Sequence, residues 1–177
     1  WGFRRQTQGQ VALSEAESDS RVVLREMLIH LREASDPGSG DLVVDLDCNG
    51  MTVFADVAPS DGVPDRIRYD LVNCDGQFCD LRVVVTPPVD PAAAVLSYDD
   101  DDALPARTLL EGVIASDAEP LFEGVDWDSA SSTRTTVDTC TSCDVGAITI
   151  DLRVQPLRTR ANPGTLRILE EVRLRNA

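Results

Sequence analysis

At residues 35–40, Ser-Asp-Pro-Gly-Ser-Gly, the hydrophobic period of the chain switches from that of a helix to that of a strand and does not switch back. Upstream, Leu13, Ala16, Ser20, Val23, Leu24, Met27, Leu31 and Ala34 recur at steps of three and four, and Leu28 widens the stripe. Arg21, Arg25, Arg32 and Glu33 lie off it. That spacing predicts one amphipathic helix over residues 10–35. Pro37 lacks the amide hydrogen that a helix needs, and the flanking glycines favour a turn, so the helix stops there.

Downstream the period is two. Residues 42–46 and 51–57 read as strands around an Asn49-Gly50 turn. Residues 66–72 alternate charged and apolar side chains, and 81–86 follow a turn bounded by Cys74 and Cys79. These form an antiparallel meander. Residues 87–106 read as a long loop holding Asp99 to Asp102 and four prolines. Residues 107–114 form a short apolar element, a strand or a single helical turn, and 121–125 suggest a further strand. The Ser/Thr/Asp-rich stretch 126–144 reads as a surface excursion, and 147–154 and 166–174 alternate as strands. The resulting fold class is α+β, a long N-terminal α-helix (residues 1–35) packed on one antiparallel β-sheet in an acidic head (residues 36–177).

Charge divides along the same boundary. Residues 1–35 carry five Arg and five acids, so the net charge of -15 belongs wholly to the remainder. Such a field repels nucleic acid and anionic lipid, so no nucleic-acid partner is expected. There is no Lys, and all 16 basic residues are Arg, whose rigid fork of donors suits pairing with the abundant Asp.

The five cysteines (Cys48, Cys74, Cys79, Cys140, Cys143) suggest an oxidising compartment. Cys74 and Cys79 flank a hairpin turn and could cross-link it. Cys140-Thr141-Ser142-Cys143 favours a short-loop disulfide over zinc or redox chemistry, because a second pair of ligands or a following helix is missing. Cys48 is then free, or it pairs with one of the others.

Catalytic signals are weak, and no enzyme activity is expected. His30 is the one histidine, and it falls beside the apolar stripe on a side read as solvent-facing. No nucleophile elbow, phosphate loop or dinucleotide fingerprint occurs. No cofactor is expected, and calcium is the one ion with candidate ligands. Asp45, Asp47 and Asn49, with Asp56 at the twelfth place, match part of a calcium loop, but the same residues suit a β-turn. Asp56, Asp61 and Asp65 form a second set, and Asp99 to Asp102 a third, read most simply as a solvated loop.

Four stretches, in order, resemble the type IV prepilin family, in particular the J-type pseudopilins and W-type minor pilins. Residues 15–21 (Glu-Ala-Glu-Ser-Asp-Ser-Arg) through 31–35 (Leu-Arg-Glu-Ala-Ser) look like the family's post-membrane helix. Residues 53–56 and 61–69 (Asp-Gly-Val-Pro-Asp-Arg-Ile-Arg-Tyr) look like its second hairpin. Residues 107–113 with 120–122 look like its middle segment, and 171–176 like its closing strand.

The resemblance implies a membrane segment before Trp1-Gly2-Phe3, a start that reads as a cut, and anchorage in an inner membrane before assembly. It implies a structural subunit that primes or caps an extracytoplasmic type IV pilus or type II secretion pseudopilus, at the cell surface or in the periplasm. Other pilins would be the partners, packed against the helix through Leu13, Ala16, Val23, Leu24, Met27, Leu28 and Leu31. The first half of that helix, including Val11, has no obvious sheet to cover it. The alternative is a tip adhesin or ligand-binding module using loops 87–106 and 126–144.

Overall fold

The computed structural model describes residues 2–38, 42–47, 49–57, 62–116, 119–128, 133–137, 139–143, 145–156 and 164–174. One helix, α1 (Gly2–Arg32), precedes ten strands: β1 (Val43–Leu46), β2 (Gly50–Ala55), β3 (Asp65–Asp75), β4 (Phe78–Thr86), β5 (Arg107–Ile114), β6 (Phe122–Asp128), β7 (Thr133–Val137), β8 (Cys140–Cys143), β9 (Ala147–Val154) and β10 (Leu166–Arg173).

All described strand pairings are antiparallel, in the order β7-β6-β9-β5-β4-β3-β2-β1-β8, with β10 on the other edge of β9. β7 and β8 follow one another in the chain yet stand at opposite ends of that path. The sheet therefore curls into a half-barrel, as accumulated right-handed twist allows. This corrects the expected α+β arrangement of a long helix packed on an antiparallel sheet: among the described residues the molecule is mostly β, a curled sheet with one α-helix.

The reason lies in residues 126–144, expected to be a surface excursion. They instead supply part of β6, then β7 and β8, which extend both ends of the sheet. Thr133, Arg134, Thr135 and Thr136 are all exposed, so β7 carries no alternation to betray a strand. Threonine's branched Cβ nonetheless suits extended backbone. Residues 107–114 and 122–128 also resolve as strands.

One core runs between helix and sheet. Val23, Leu24, Met27, Leu31 and Ala34 of the helix segment share it with Tyr69, Leu81, Val113, Phe122, Ile148, Ile150 and Leu152. After α1 the chain hooks onto the sheet: the Ser35 amide donates to the Phe54 carbonyl at 3.0 Å, and Ala34 bridges Ala55. The Gly38 amide then donates to Asp36 Oδ1 at 2.8 Å. Gly38 has φ +97°, and an added Cβ would stand 3.0 Å from the Ala94 carbonyl oxygen, so only glycine suits this turn.

Candidate assembly surface on the helix

The helix has two sides with different tasks. Val23, Leu24, Met27 and Leu31 are buried in the chain's own core. Ala16 and Leu28 pack against that core half-buried, and Leu13 is half-buried. Of the residues expected to hold other subunits, the four buried ones instead hold the helix to its own sheet and are closed to a partner.

The opposite side carries a second stripe, outside the residues expected to make that contact. Val11, Val22 and Ile29 are 52%, 66% and 42% exposed. At 3.6 residues per turn they fall within a narrow arc about half a turn away from Met27. Ser18, also exposed, fills the gap between Val11 and Val22 on that arc. The signal is present in the sequence as a sparser recurrence at 11, 18, 22 and 29, masked by the denser stripe across the helix.

Charge is ordered around this outer stripe. On one flank lie Glu15, Asp19 and Glu26, on the other Arg21, Arg25 and Arg32. Glu26 is tied to the sheet by an ion pair with Arg107. Arg21 binds Glu17 one turn earlier, with Nη2 to Oε1 at 2.9 Å, an exposed pair worth a few tenths of a kcal/mol, about 0.3–0.5. The acidic flank borders a groove of about 430 Å³ between α1 and β5, lined by Ala12, Glu15, Ala16, Asp19, Leu109 and Glu111 among others.

His30 overturns its expected solvent-facing position. It is 8% exposed, and its Nδ1 lies 2.6 Å from the Tyr69 hydroxyl, itself fully buried. Burial lowers the His30 pKa below its ordinary value despite the nearby Glu26 and Glu33 carboxylates, and burial raises that of Tyr69. Both rings are thus neutral near pH 7 and share one hydrogen bond. The pair is a polar pin between helix and sheet.

Asp45, Asp47 and Asn49 do not converge with Asp56, and Asp99 to Asp102 are engaged in their own short helix. Asp47 Oδ1 accepts the Asn49 amide at 2.7 Å, and the Asp47 amide donates to Gly50, so this is a β-turn. Asp56 lies past the far end of the six-residue β2, about 20 Å along the strand at roughly 3.3 Å per residue. Asp99 caps a short 3-10 helix at Asp100–Asp102, and Asp100 pairs with Arg66. Asp65 Oδ2 accepts the Val57 amide at 3.3 Å, while Asp61 lies outside the described residues. Among the described residues no group of three or more His, Cys, Asp or Glu side chains could hold a metal ion.

Cys74 and Cys79 are disulfide-bonded across the tip of the β3–β4 hairpin. Cys140 is also disulfide-bonded. It and Cys143 bound strand β8, whose register against β1 is regular. The expected short-loop bond between them rests on the Cys143 side chain, which lies outside the described residues. Cys48 lies outside the described residues.

The two loops of the adhesin alternative also separate. Segment 126–144 is largely sheet, as above. Segment 87–106 remains a loop fastened to the head, with the Tyr98 hydroxyl donating to the Pro64 carbonyl at 2.7 Å and the Leu96 amide to that of Pro37 at 3.1 Å. It exposes Val89, Val95 and Leu104. Comparison of the chain with protein-family models, with curated proteins and with solved structures finds no match.

Proposed function

We propose that this chain is a structural subunit of an extracytoplasmic fibre, of the minor pilin or pseudopilin kind, that joins other subunits through its helix. The observation that carries the reading is the outer stripe of Val11, Val22 and Ile29, apolar and uncovered on the side away from the chain's own core. An isolated exposed valine is ordinary, but a stripe running along a long helix is a surface that gains by meeting another helix. The order of sequence segments shared with prepilins supports the same role. The reading rests on the helix, because the mostly β, curled head departs from the expected long helix packed on one antiparallel sheet.

A photo-reactive amino acid at Val22, introduced in the cell that makes the protein, tests it. Covalent products with other fibre subunits are expected. No product from position 22, together with fibres that form normally without the chain, would overturn the reading. A second reading, ligand binding at the head, is favoured by the exposed Val89, Val95 and Leu104 of loop 87–106. The same probe at Val95 would then capture a molecule outside the fibre.

A further inference from the structure

The helix faces its sheet with large side chains only in its second half. Val23, Leu24, Met27 and Leu31 fill that space, whereas the same face carries Ala12 and Ala16 earlier in the helix. Alanine leaves open the gap that leucine and methionine close further on. The result is the groove of about 430 Å³ between α1 and β5, which falls in the size range of small-molecule sites. Ala12, Ala16, Leu109 and Val154 give it apolar surface, and Glu15 and Asp19 stand on its helical wall. Glu111, on the β5 side, is already engaged within the chain, so the charge that matters is that of Glu15 and Asp19.

Those two carboxylates are exposed and form no ion pair among the described residues. Glu17 has Arg21 and Glu26 has Arg107, but no arginine lies three or four residues from Glu15 or Asp19 on the helix. The two are instead one turn from each other, with Cβ atoms about 5–6 Å apart, where like charges repel. Ser20, one turn beyond Ala16 on the same face, is fully buried, and its hydroxyl has no hydrogen-bond partner among the described residues. This wall therefore combines two unmatched anions and an unsatisfied hydroxyl with apolar surface.

A bare calcium ion suits it poorly, because calcium takes about six to eight oxygen ligands and the apolar lining supplies none. An alkyl chain with a cationic nitrogen at each end suits both features. Its methylenes cover the alanine and leucine surface, and a four-carbon stem spans the separation of the two carboxylates. We propose that the groove between α1 and β5 binds an aliphatic diamine or polyamine, with its stem against Ala12, Ala16 and Leu109 and two ammonium groups at Glu15 and Asp19. The net charge of -15 draws such cations toward the chain. The inference stands apart from the fibre role, because Val11, Val22 and Ile29 do not line the groove.

Isothermal titration calorimetry of the full chain at physiological ionic strength tests it, with unbranched diamines of increasing length, butylamine and spermidine as ligands. Affinity should rise from the two-carbon to the four-carbon diamine, and butylamine, with one charge, should bind more weakly than the latter. Glu15→Gln and Asp19→Asn should each weaken spermidine binding by about three- to tenfold. Asp101→Asn, which removes an exposed charge from loop 87–106, should leave it unchanged. Ala16→Leu fills the gap and keeps both carboxylates, so binding should be lost while the circular dichroism spectrum stays the same. Affinity that follows ligand charge alone, or that falls equally in Asp101→Asn, would overturn the proposal as diffuse attraction. Tighter binding by a lysine peptide of the same charge as spermidine would also overturn it, and would give the groove to a protein segment.

Discussion

Replacing Tyr69 with Phe removes a single oxygen from the middle of the core and leaves the helix, the sheet and the ring packing in place. Tyr69 is fully buried, and its hydroxyl sits 2.6 Å from Nδ1 of His30, which is 8% exposed. The substitution leaves that nitrogen desolvated and without a partner, at a cost of about 1–3 kcal/mol. For a chain of this size the melting temperature should fall by roughly 2–4 °C per kcal/mol. Urea unfolding at pH 8 measures the loss directly. His30→Leu should carry a comparable cost by stranding the phenol, and the double variant should cost clearly less than the sum, since it leaves neither group unpaired.

The same pair sets a pH dependence. Burial holds the His30 pKa below its ordinary value, so between the folded pKa and the unfolded value near 6.5 the unfolded chain binds more protons. Stability is therefore full above about pH 6.5 and falls as the pH drops through the folded pKa, by at most about 1.4 kcal/mol per pH unit. His30 is the one histidine in the sequence, so His30→Leu should flatten the curve between pH 6.5 and the carboxylate range. A Tyr69→Phe cost below about 0.5 kcal/mol, which is less than an ordinary hydrogen bond contributes, would refute the pin between helix and sheet. So would a wild-type curve that is flat across this window.

Two further outcomes follow from the sheet. Burial pushes the Asp151 carboxyl up, but hydrogen bonds from Arg167 and Arg153 outweigh it and hold its pKa below the ordinary carboxylate value. Its contribution should be intact above the unfolded pKa of about 3.9 and lost as pH falls through the folded one, and Asp151→Asn should cost about 1–3 kcal/mol in urea at pH 7. Gly124 of β6 is the tight point of the curl: an added Cβ would stand 3.0 Å from both Leu46 Cδ2 and Val145 Cγ1. Gly124→Ala should destabilise by about 1–3 kcal/mol by thermal melting, and an unchanged melting temperature would show that the curl is looser than these contacts require.

The elements with one buried face are legible in the sequence and the closure of the sheet is not. Val23, Leu24, Met27 and Leu31 announce the inner face of α1 by spacing alone, and β3, β4, β9 and β10 announce themselves by alternation. β7 is invisible because four of its five residues are exposed and polar. The covered arc of the helix is hidden for a related reason. Spacing gives the centre of an apolar stripe, but its width depends on how far the sheet wraps around, and the curl carries Tyr69 over the side where His30 sits. A polar residue beside a stripe reads as solvated until something is known to reach it. The outer face is obscure because three apolar residues spread over 19 positions look like noise beside a dense stripe, and the order of the flanking charges has meaning only once the covered side is known.

Charge and edge chemistry work against contact between two heads, although Val89, Val95, Leu104 and Leu169 are exposed on the head. It carries the whole net charge of -15, so two heads repel at short range. Its sheet edges are also blunted. On the edge strand β10, Arg167, Glu170, Glu171 and Arg173 are exposed, and Glu171 pairs with Arg134 of β7 at 2.8 Å. Charged side chains along an edge oppose pairing with another strand. The helix is neutral only in total: Glu15, Asp19 and Glu26 lie on one flank of the apolar stripe and Arg21, Arg25 and Arg32 on the other, where Glu17 pairs with Arg21. In a fibre subunit of the kind proposed, an acidic, edge-protected head joined to such a helix would leave the contact between subunits to the helix while the heads keep their distance.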